Sequence, residues 1–516
     1  MLKVTQIKCR PGNPLSREDI AGKLRCLPSD ILSFEADRES IDARKEELYF
    51  VYSVYASVKN EEKYLRLKDV VQEEKPVYNV PVMMKKSRRP LVVGFGPAGM
   101  FAGLILAEAG CRPVIIERGR QAEDRAGDVQ RFFEQGILDS ESNVQYGEGG
   151  AGTFSDGKLT TRIKNYRIRK VLAELVEAGA DPAIMYQAMP HLGTDRLHEI
   201  VRNIRNKIIR LGGEVHFQTR MENLVIKDRK VCGVNTNRGI FDASEVILCL
   251  GHSASETYRS LLEQGFEILP KDFAAGVRVE HPQEMINRNQ YGRFADHPSL
   301  GPASYRLSFR SSAGRGVYSF CMCPGGTVIP ASTEEGLLVV NGMSESSRNG
   351  LNANSALLVQ IPQSDFYRNS PLDGFAFQKD LEKRAFHTGY KAPAQNISDY
   401  AEGRKTAEWN IIASYPRGVI STDMSELFSD AVNLSLREAV IRFDRQIPGF
   451  LNRGIMIGVE SRSSSPIRMI RSEEGMSSFC AGVFPCGEGA GYAGGIVSSA
   501  VDGIKQAENV IRFING

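Results

Sequence analysis

The sequence lacks the features that would direct the chain to a membrane, to nucleic acid or out of the cell. No apolar run is long enough to span a bilayer, and residues 1–6 contain no apolar core of a secretion signal. The nine cysteines follow neither disulfide nor zinc-site spacing. The net charge of +3 over 516 residues gives no reason to expect a nucleic-acid partner. We therefore expect a cytoplasmic protein of roughly two to four domains that binds no metal.

What the sequence does contain is a dinucleotide-binding pattern after residue 90. Residues 91–93 predict a short buried strand that runs into a G-x-G-x-x-G turn, formed by Gly94, Gly96 and Gly99. The first glycine permits a tight turn, and the second lets the backbone approach a pyrophosphate. The third lets the following helix pack closely on the strand. We call residues 94–99 the pyrophosphate turn.

The elements after this turn complete the pattern. A helix over residues 97–109 begins with Pro97 and Ala98, so that its N-terminal amides and dipole suit a diphosphate. A second strand, 112–116, ends at Glu117, where an acid is expected to meet a ribose hydroxyl, with Arg118 beside it. Strand, helix, second strand and acid together predict a dinucleotide site.

A second glycine-rich stretch, residues 147–158, is here called the glycine segment. It holds too many glycines for a helix or a central strand, so it predicts a tight loop whose amides face a ligand. A flexible surface loop is the alternative. The polar residues between the glycines favour a second ligand contact, and the candidate residues are Gly149, Gly150, Ala151, Gly152, Thr153, Phe154, Ser155 and Lys158.

A third strand, turn and helix closes the chain. Residues 482–496 read as a strand and a glycine turn, here called the C-terminal turn, and a helix follows to residue 513. The turn carries an acid, and its candidate ligand-facing residues are Gly487, Glu488, Gly494, Gly495 and Ile496.

The rest of the chain predicts an α/β fold with two additions. Residues 1–86 read as a small α+β module of ferredoxin-like size, with a candidate second helix at residues 61–70, followed by a basic linker at residues 85–90. Residues 87–270 and 456–516 form a Rossmann-like domain with a parallel sheet and a small antiparallel appendage. Residues 271–455 break the alternation of strands and helices, which predicts an inserted α+β cap over the cofactor. The N-terminal module is a candidate for docking on the main body or on a protein partner.

These motifs together resemble the FAD-binding fold of glutathione-reductase-like flavoproteins. Four blocks also resemble a bacterial family of uncharacterised FAD-dependent (NAD/FAD-utilising) dehydrogenases, at residues 40–44, 143–158, 316–325 and 487–495. The resemblance implies that the pyrophosphate turn holds the diphosphate of FAD and that Glu117 meets the adenosine ribose. It further implies adenine near Met221, a small-residue turn at Cys249 and Gly251, and a contact of Glu488 with the ribitol side.

Four residues are candidates for catalysis. Cys321 and Cys323 alternate along a predicted strand and would share one face, so they could meet the flavin or form a disulfide; two small buried side chains are the alternative. His281 is a candidate acid or base, with a structural histidine as the alternative. Arg462 could bind a carboxylate or stabilise a reduced flavin; membership of a surface ion-pair network is the alternative.

The leading functional prediction is an FAD-dependent oxidoreductase that moves a hydride through flavin N5 to or from a small organic substrate. The middle of the chain contains no second strand–GxGxxG–helix unit and no Cys-x-x-x-x-Cys pair, so a dedicated NAD(P)H domain is not expected. Either NAD(P)H docks transiently in the substrate cleft, or the substrate itself is the hydride donor. A flavin-dependent RNA-modifying enzyme and a non-catalytic flavin-bearing redox sensor or scaffold are the alternatives.

Overall fold

The computed structural model describes residues 1–43, 46–84 and 89–516. Arg44 of the block at 40–44, the linker residues 85–88 and the predicted boundary between 86 and 87 lie outside these ranges. No helix in the described ranges combines the length and the apolar character needed to cross a bilayer.

The N-terminal module is a four-stranded antiparallel sheet with one helix. Its elements are β1 (Leu2–Cys9), α1 (Arg17–Leu24), β2 (Ile31–Asp42), β3 (Tyr49–Val58) and β4 (Val70–Gln72), in the sheet order β2-β3-β1-β4. All neighbouring strands are antiparallel, as in the ferredoxin-like fold. The helix expected near residues 61–70 is only a 3-10 turn, Glu61–Tyr64, and Asp69 adopts the left-handed φ of +70° that a helix does not accept.

The next part of the chain alternates helices with short strands. In chain order the elements are β5 (Leu91–Val93), α2 (Pro97–Glu108), β6 (Val114–Ile116), α3 (Ala122–Gln135), α4 (Arg167–Glu177), α5 (Thr194–Arg210), β7 (Glu214–His216), β8 (Met221–Lys227), β9 (Lys230–Thr236), β10 (Gly239–Asp242), β11 (Val246–Leu248), α6 (Ser255–Glu263) and β12 (Ile268–Pro270). Strands β8, β9 and β10 form the predicted antiparallel appendage, with a third strand beyond the two expected.

The cap is built on a sheet of seven strands. Its elements are β13 (Phe273–Pro282), α7 (Gln283–Tyr291), β14 (Ser308–Arg310), β15 (Gly316–Cys323), β16 (Thr327–Pro330), β17 (Val340–Met343), β18 (Asn352–Ile361), α8 (Gln363–Phe366), α9 (Asp373–Ala385), β19 (Ala392–Asn396), α10 (Ile397–Glu402), β20 (Val419–Ser421), α11 (Asp430–Asp444) and β21 (Ile455–Glu460). The cap sheet has the order β14-β15-β18-β13-β21-β19-β20, and β16 pairs with β17 in a separate hairpin. Strand β21 belongs to this sheet, so the chain leaves the cap after residue 460, a few residues beyond the predicted boundary at 455.

The chain then returns to the first sheet through β22 (Ile467–Met469), β23 (Val483–Pro485) and α12 (Ile496–Asn515). The parallel sheet has the order β23-β11-β5-β6-β7, and β22 pairs beside it with β12. Helices α2 and α12 are buried against each other, and a Cβ placed on Gly503 would lie 2.1 Å from the Ala98 carbonyl oxygen. This is the doubly wound α/β architecture that the sequence predicts.

Candidate functional site

Two helices begin at the same edge of the parallel sheet. Helix α2 follows β5 and α12 follows β23, and only β11 separates these strands. Their N-cap residues are Gly96 and Gly495, and among the described residues no side chain caps either helix. A Cβ on Gly96 would have its nearest neighbour at 3.7 Å, and one on Gly494 or Gly495 would meet nothing within 4 Å. Free first-turn amides, two aligned helix dipoles and open space fit a diphosphate.

The other two glycines of the pyrophosphate turn lie in close contact with backbone. Gly94 has φ +95°, and a Cβ there would lie 2.3 Å from the Cys249 carbonyl oxygen. A Cβ on Gly99 would lie 1.9 Å from the Gly94 carbonyl oxygen. Both positions therefore require glycine for packing, as the sequence pattern proposes.

Glu117 connects the pyrophosphate turn to the glycine segment. Its Oε2 accepts a hydrogen bond of 2.8 Å from the Phe95 amide, and its Oε1 accepts from the amides of Gly119 (2.9 Å) and Gly147 (3.0 Å). Three backbone donors satisfy both oxygens of this buried carboxylate. Glu117 thus organises the site through the backbone, and its contact with a ribose stays a prediction.

A cavity of about 210 Å³ opens next to Glu117, at the carboxyl ends of β6 and β7. The Arg118 guanidinium lies 3.9 Å above the ring of Tyr146, and its Nε donates to Glu141 Oε2 at 3.0 Å. Met221 is buried at the start of β8. The position is the one predicted for the adenosine half of the cofactor, and the lining residues are Arg118, Gly119, Arg120, Asp139, Glu141, Ser142, Gln218, Arg220 and Asn237.

The glycine segment is anchored, and so is not the flexible loop of the alternative interpretation. Residues Gly150–Phe154 form a 3-10 turn, and Gly152 packs against Ile496 at the start of α12. Arg125 of α3, which the sequence did not single out, is fully buried beneath the segment. It donates hydrogen bonds of 2.6–3.0 Å to four backbone carbonyls, those of Asn143, Val144, Glu148 and Gly150.

Glu148 is a buried carboxyl inside the glycine segment. Its Oε2 accepts from the Ala122 amide and from Arg205 Nη1, both at 2.8 Å, while Oε1 has no partner among the described residues. Burial raises the pKa of this carboxyl to about 7, against the lowering effect of the Ala122 amide and Arg205.

The C-terminal turn is held by two acids, of which the sequence identified only one. Glu488 Oε2 accepts from the Gly495 amide at 3.2 Å, and its Oε1 lies 4.0 Å from His252 Nε2. Asp502 of α12 accepts from the Gly487 amide at 2.8 Å and pairs with Arg471. Cys249 and Cys486 are buried free thiols at the ends of the adjacent strands β11 and β23.

The cap contributes a buried ion pair that no sequence motif announces. Arg278 of β13 is fully buried, and its Nη1 lies 2.7 Å from Glu460 Oε2 on β21. Its Nε donates to Asn354 Oδ1 at 2.8 Å and its Nη2 donates to the Cys321 carbonyl at 2.6 Å. Each of the three guanidinium nitrogens of Arg278 therefore donates to a group of the protein.

A further ion pair links the glycine segment to the cap. Arg348 Nε donates to Asp156 Oδ1 at 2.9 Å, and Ser344 donates to the same carboxylate. Lys158 lies two residues after Asp156, and its ammonium group donates a hydrogen bond to the Met322 carbonyl in β15. The structure therefore brings Lys158 to the strand of the two candidate cysteines.

Those cysteines do not share one face, because a β-bulge interrupts β15 between Phe320 and Cys323. Cys321 has φ +43° and is exposed, whereas Cys323 is buried and its thiol donates to the Cys321 carbonyl at 3.2 Å. Both are free thiols, and the alternation assumed for a redox pair is absent.

His281 lies inside the core of the cap. Its Nε2 donates to the Phe450 carbonyl at 2.9 Å, and the two rings pack at an interplanar angle of 39° with centroids 4.3 Å apart. Burial lowers the pKa of the imidazole to about 4, which keeps it neutral. His281 is therefore a buried, hydrogen-bonded residue of the cap core, which is the structural alternative named for it.

Arg462 is neither part of a surface network nor free for a ligand. Its Nε and Nη2 lie 2.8 and 2.7 Å from the two carboxylate oxygens of Glu382, and both side chains are buried. Its Nη1 donates to Thr333 at 2.7 Å. A carboxylate of the protein therefore already occupies the guanidinium.

Comparison with known proteins adds the following relationships. Residues 272–463 match the family model "FAD-dependent protein, C-terminal domain-like", and residues 1–57 match a domain of unknown function (DUF8436). An uncharacterized protein of Clostridium beijerinckii is 45% identical over 505 residues, which cover 96% of this chain and 95% of the relative.

Two more distant similarities cover a smaller part of the chain or have a lower sequence identity. Protein FixC of Escherichia coli K12 is 24% identical over 203 residues, which cover 38% of this chain and 44% of FixC. The crystal structure of glycine oxidase from Bacillus cereus aligns over 83% of this chain and 95% of that chain, with 12% identity and a TM-score of 0.33.

Proposed function

Because the chain belongs to the same family of FAD-dependent proteins as the uncharacterized protein of Clostridium beijerinckii, we propose that it is an oxidoreductase of the glutathione-reductase-like group. Its cofactor is FAD, which confirms the prediction drawn from the acid of the C-terminal turn and from the family resemblance. The proposal concerns the reaction: two-electron oxidation or reduction of a small organic molecule.

The residues around the two helix N-termini would hold the cofactor. The first-turn amides of α2 and α12 would face the diphosphate, and the cavity beside Glu117 would take the adenosine half. The glycine segment, held by Arg125, would form a wall between this site and the cap. Bound FAD supplies hydride chemistry at N5 of its ring, and the protein supplies orientation and exclusion of water.

The observation that carries the proposal is the convergence of two uncapped helix N-termini on one space at the border with the cap. The glycine segment adjoins both N-termini through Gly150 and Gly152, and further along the same segment Lys158 and Asp156 contact the cap at Met322 and Arg348. A substrate bound at this border would lie against the cofactor. NADH or NADPH would dock transiently at the same place as the reductant.

The experiment is an anaerobic reductive titration of the purified full chain after incubation with FAD and removal of free FAD. We expect a bound-flavin spectrum that is bleached by NADH or NADPH, or by the organic substrate. A folded protein that takes up no FAD would contradict the proposal, because the proposed reaction requires bound FAD. Bound FAD that dithionite alone reduces, with no nicotinamide and no member of a metabolite panel active, would favour the non-catalytic redox sensor instead.

A further inference from the structure

The cavity beside Glu117 has room for much more than a water molecule, yet Glu117 is not one of the residues that line it. Its volume of about 210 Å³ is many times the ~10–15 Å³ that one water needs. Both carboxylate oxygens of Glu117 accept hydrogen bonds from backbone amides, and the side chain is buried. Other side chains therefore recognise the group that fills this cavity.

The charged side chains around the cavity are already paired within the protein. Arg118 and Arg220 both pair with Glu141, at 3.0 and 2.8 Å. Arg120 pairs with Asp128 at 3.1 Å. A phosphate or a carboxylate would have to compete with these carboxylates for the arginines, whereas an uncharged group would not. The cavity therefore suits the uncharged part of a nucleotide, which is the base with its sugar.

Arg118 is held so that one face of its guanidinium is left for a ligand. On one side the guanidinium carbon lies 3.9 Å from the centroid of the Tyr146 ring. That ring is fixed in turn, because its hydroxyl donates to the Ser253 carbonyl at 2.7 Å. Glu141 and Glu256 bind the nitrogens at the edge of the guanidinium. With the edge and one face occupied, the opposite face is the one that this planar group presents to the cavity that Arg118 lines.

Uncharged polar side chains belong to the same wall. Gln218 lines the cavity, is exposed, and has an amide that both donates and accepts hydrogen bonds. Ser142 lines it too, is 2% exposed, and its Oγ has no hydrogen-bond partner among the described residues. A planar cation for stacking beside uncharged groups for hydrogen bonding is the combination with which proteins bind unpaired nucleobases.

We propose that Arg118 is the residue that selects the adenine base of the cofactor, which stacks on the free face of its guanidinium. Tyr146 supports the guanidinium from behind, and the two ion pairs at its edge hold the plane in place before the base arrives. The inference rests on the proposed function, in which this cavity takes the adenosine half of FAD.

The test compares FAD with FMN, which lacks the adenosine half, on the full chain freed of its flavin. Both affinities are measured from the change in flavin fluorescence. Arg118→Lys keeps the positive charge but has no planar face, so it should weaken FAD about tenfold and leave FMN unchanged. Arg229→Lys is the matched control. The Arg229 guanidinium lies 5.3 Å from the Phe479 ring and is not part of the cavity wall, so this variant should affect neither flavin.

Wild-type affinity for FAD in Arg118→Lys, or weakening of FAD and FMN by the same factor, would overturn the inference. If FMN binds too weakly to titrate, or the variant does not fold, AMP and ribose 5-phosphate are compared as competitors of FAD on the wild-type protein. AMP, which adds only the base, should compete at least tenfold better, and equal competition would overturn the inference. A chain that takes up FAD but fails these comparisons fails this inference alone, whereas a chain that takes up no FAD fails the proposed function.

Discussion

The parallel sheet presents backbone amides to the space between the two domains, whereas the cap presents charged side chains. On the first side Gly94 and Gly99 lie in close contact with backbone, and the helices after the turns are uncapped. On the second side Arg278 and Arg348 reach the border already paired with Glu460 and Asp156. Backbone donors suit a diphosphate, whereas the two arginines on the cap side already have carboxylate partners within the protein.

The largest effect is expected from the buried ion pair of the cap. Arg278→Met leaves Glu460 buried without its partner, which should lower the free energy of unfolding by about 3–5 kcal/mol. The double variant Arg278→Met/Glu460→Leu removes both charges and should recover most of this loss. Denaturant unfolding of the FAD-loaded protein measures both.

The surface pair Arg288–Glu284 on α7 provides the matched control. Both side chains are about two-thirds exposed, at 67% and 62%, so Arg288→Met should cost less than about 1 kcal/mol. A double variant as unstable as Arg278→Met would show that the hydrogen bonds of Arg278 to Asn354 and Cys321, rather than the charge of Glu460, carry the effect.

The next effect tests the backbone side of the comparison. Gly99→Ala places a methyl group 1.9 Å from the Gly94 carbonyl oxygen, which should displace the pyrophosphate turn and cost about 1–3 kcal/mol. We expect the purified variant to lose most of its FAD. In Gly127→Ala, on α3, the new methyl group meets nothing within 4 Å, so stability and flavin content should stay at or above the wild-type level. Equal flavin content in the two variants would contradict the role of close packing at Gly99.

The smallest effect is a difference in pH dependence. The Glu148 carboxyl has its pKa raised from 4.5 to about 7 in the folded protein, so the folded state binds more protons between these values. Its contribution to stability is full below about pH 4.5 and is lost as the pH rises through about 7. Glu148→Gln stays neutral, so from about pH 5 to about pH 7.5 its Tm should fall less than that of the wild type.

Glu123 is the control, because it pairs with the same Arg205 at 2.9 Å. Burial is the largest single influence and opposes its charge, but the hydrogen bond and charge of Arg205, together with its own backbone amide and Arg202, lower the pKa of Glu123. Its titration therefore lies below this pH range, and Glu123→Gln should leave the slope of Tm against pH unchanged. Parallel profiles for Glu148→Gln and the wild type would contradict a raised pKa at Glu148.

Several elements could be predicted because each depends on residues close in sequence. The helix expected over residues 97–109 is α2, Pro97–Glu108, since proline starts it and a glycine follows its end. Residues 122–135 read in the sequence as a polar helical stretch, and α3 has these bounds. The helix expected near residues 61–70 is the exception. It does not form because Asp69 has a left-handed backbone, which is also a local property of the chain.

The candidate site divides in the same way. Gly94, Gly96, Gly99 and the two glycine turns could be recognised from the sequence, because the steric requirement of a strand–turn–helix unit lies within a few residues. The end of β6 at Glu117 could likewise be predicted, and a cavity opens beside it; its use by the adenosine half of the cofactor stays a prediction. The alternation of Cys321 and Cys323 misled, because a bulge changes the face of a strand without changing its composition.

The sequence by itself determined the glycine turns and the α/β class, since both arise from local backbone geometry and from the periodicity of apolar residues. Only the tertiary structure decided that Arg125 supports the glycine segment, that Arg278 pairs with Glu460 and that His281 is buried in the cap. It also decided that Lys158 reaches β15 without a carboxylate partner among the described residues. These partners are far apart along the chain, and the packing of whole elements, rather than any nearby residue, sets which charges meet and which remain free for a ligand.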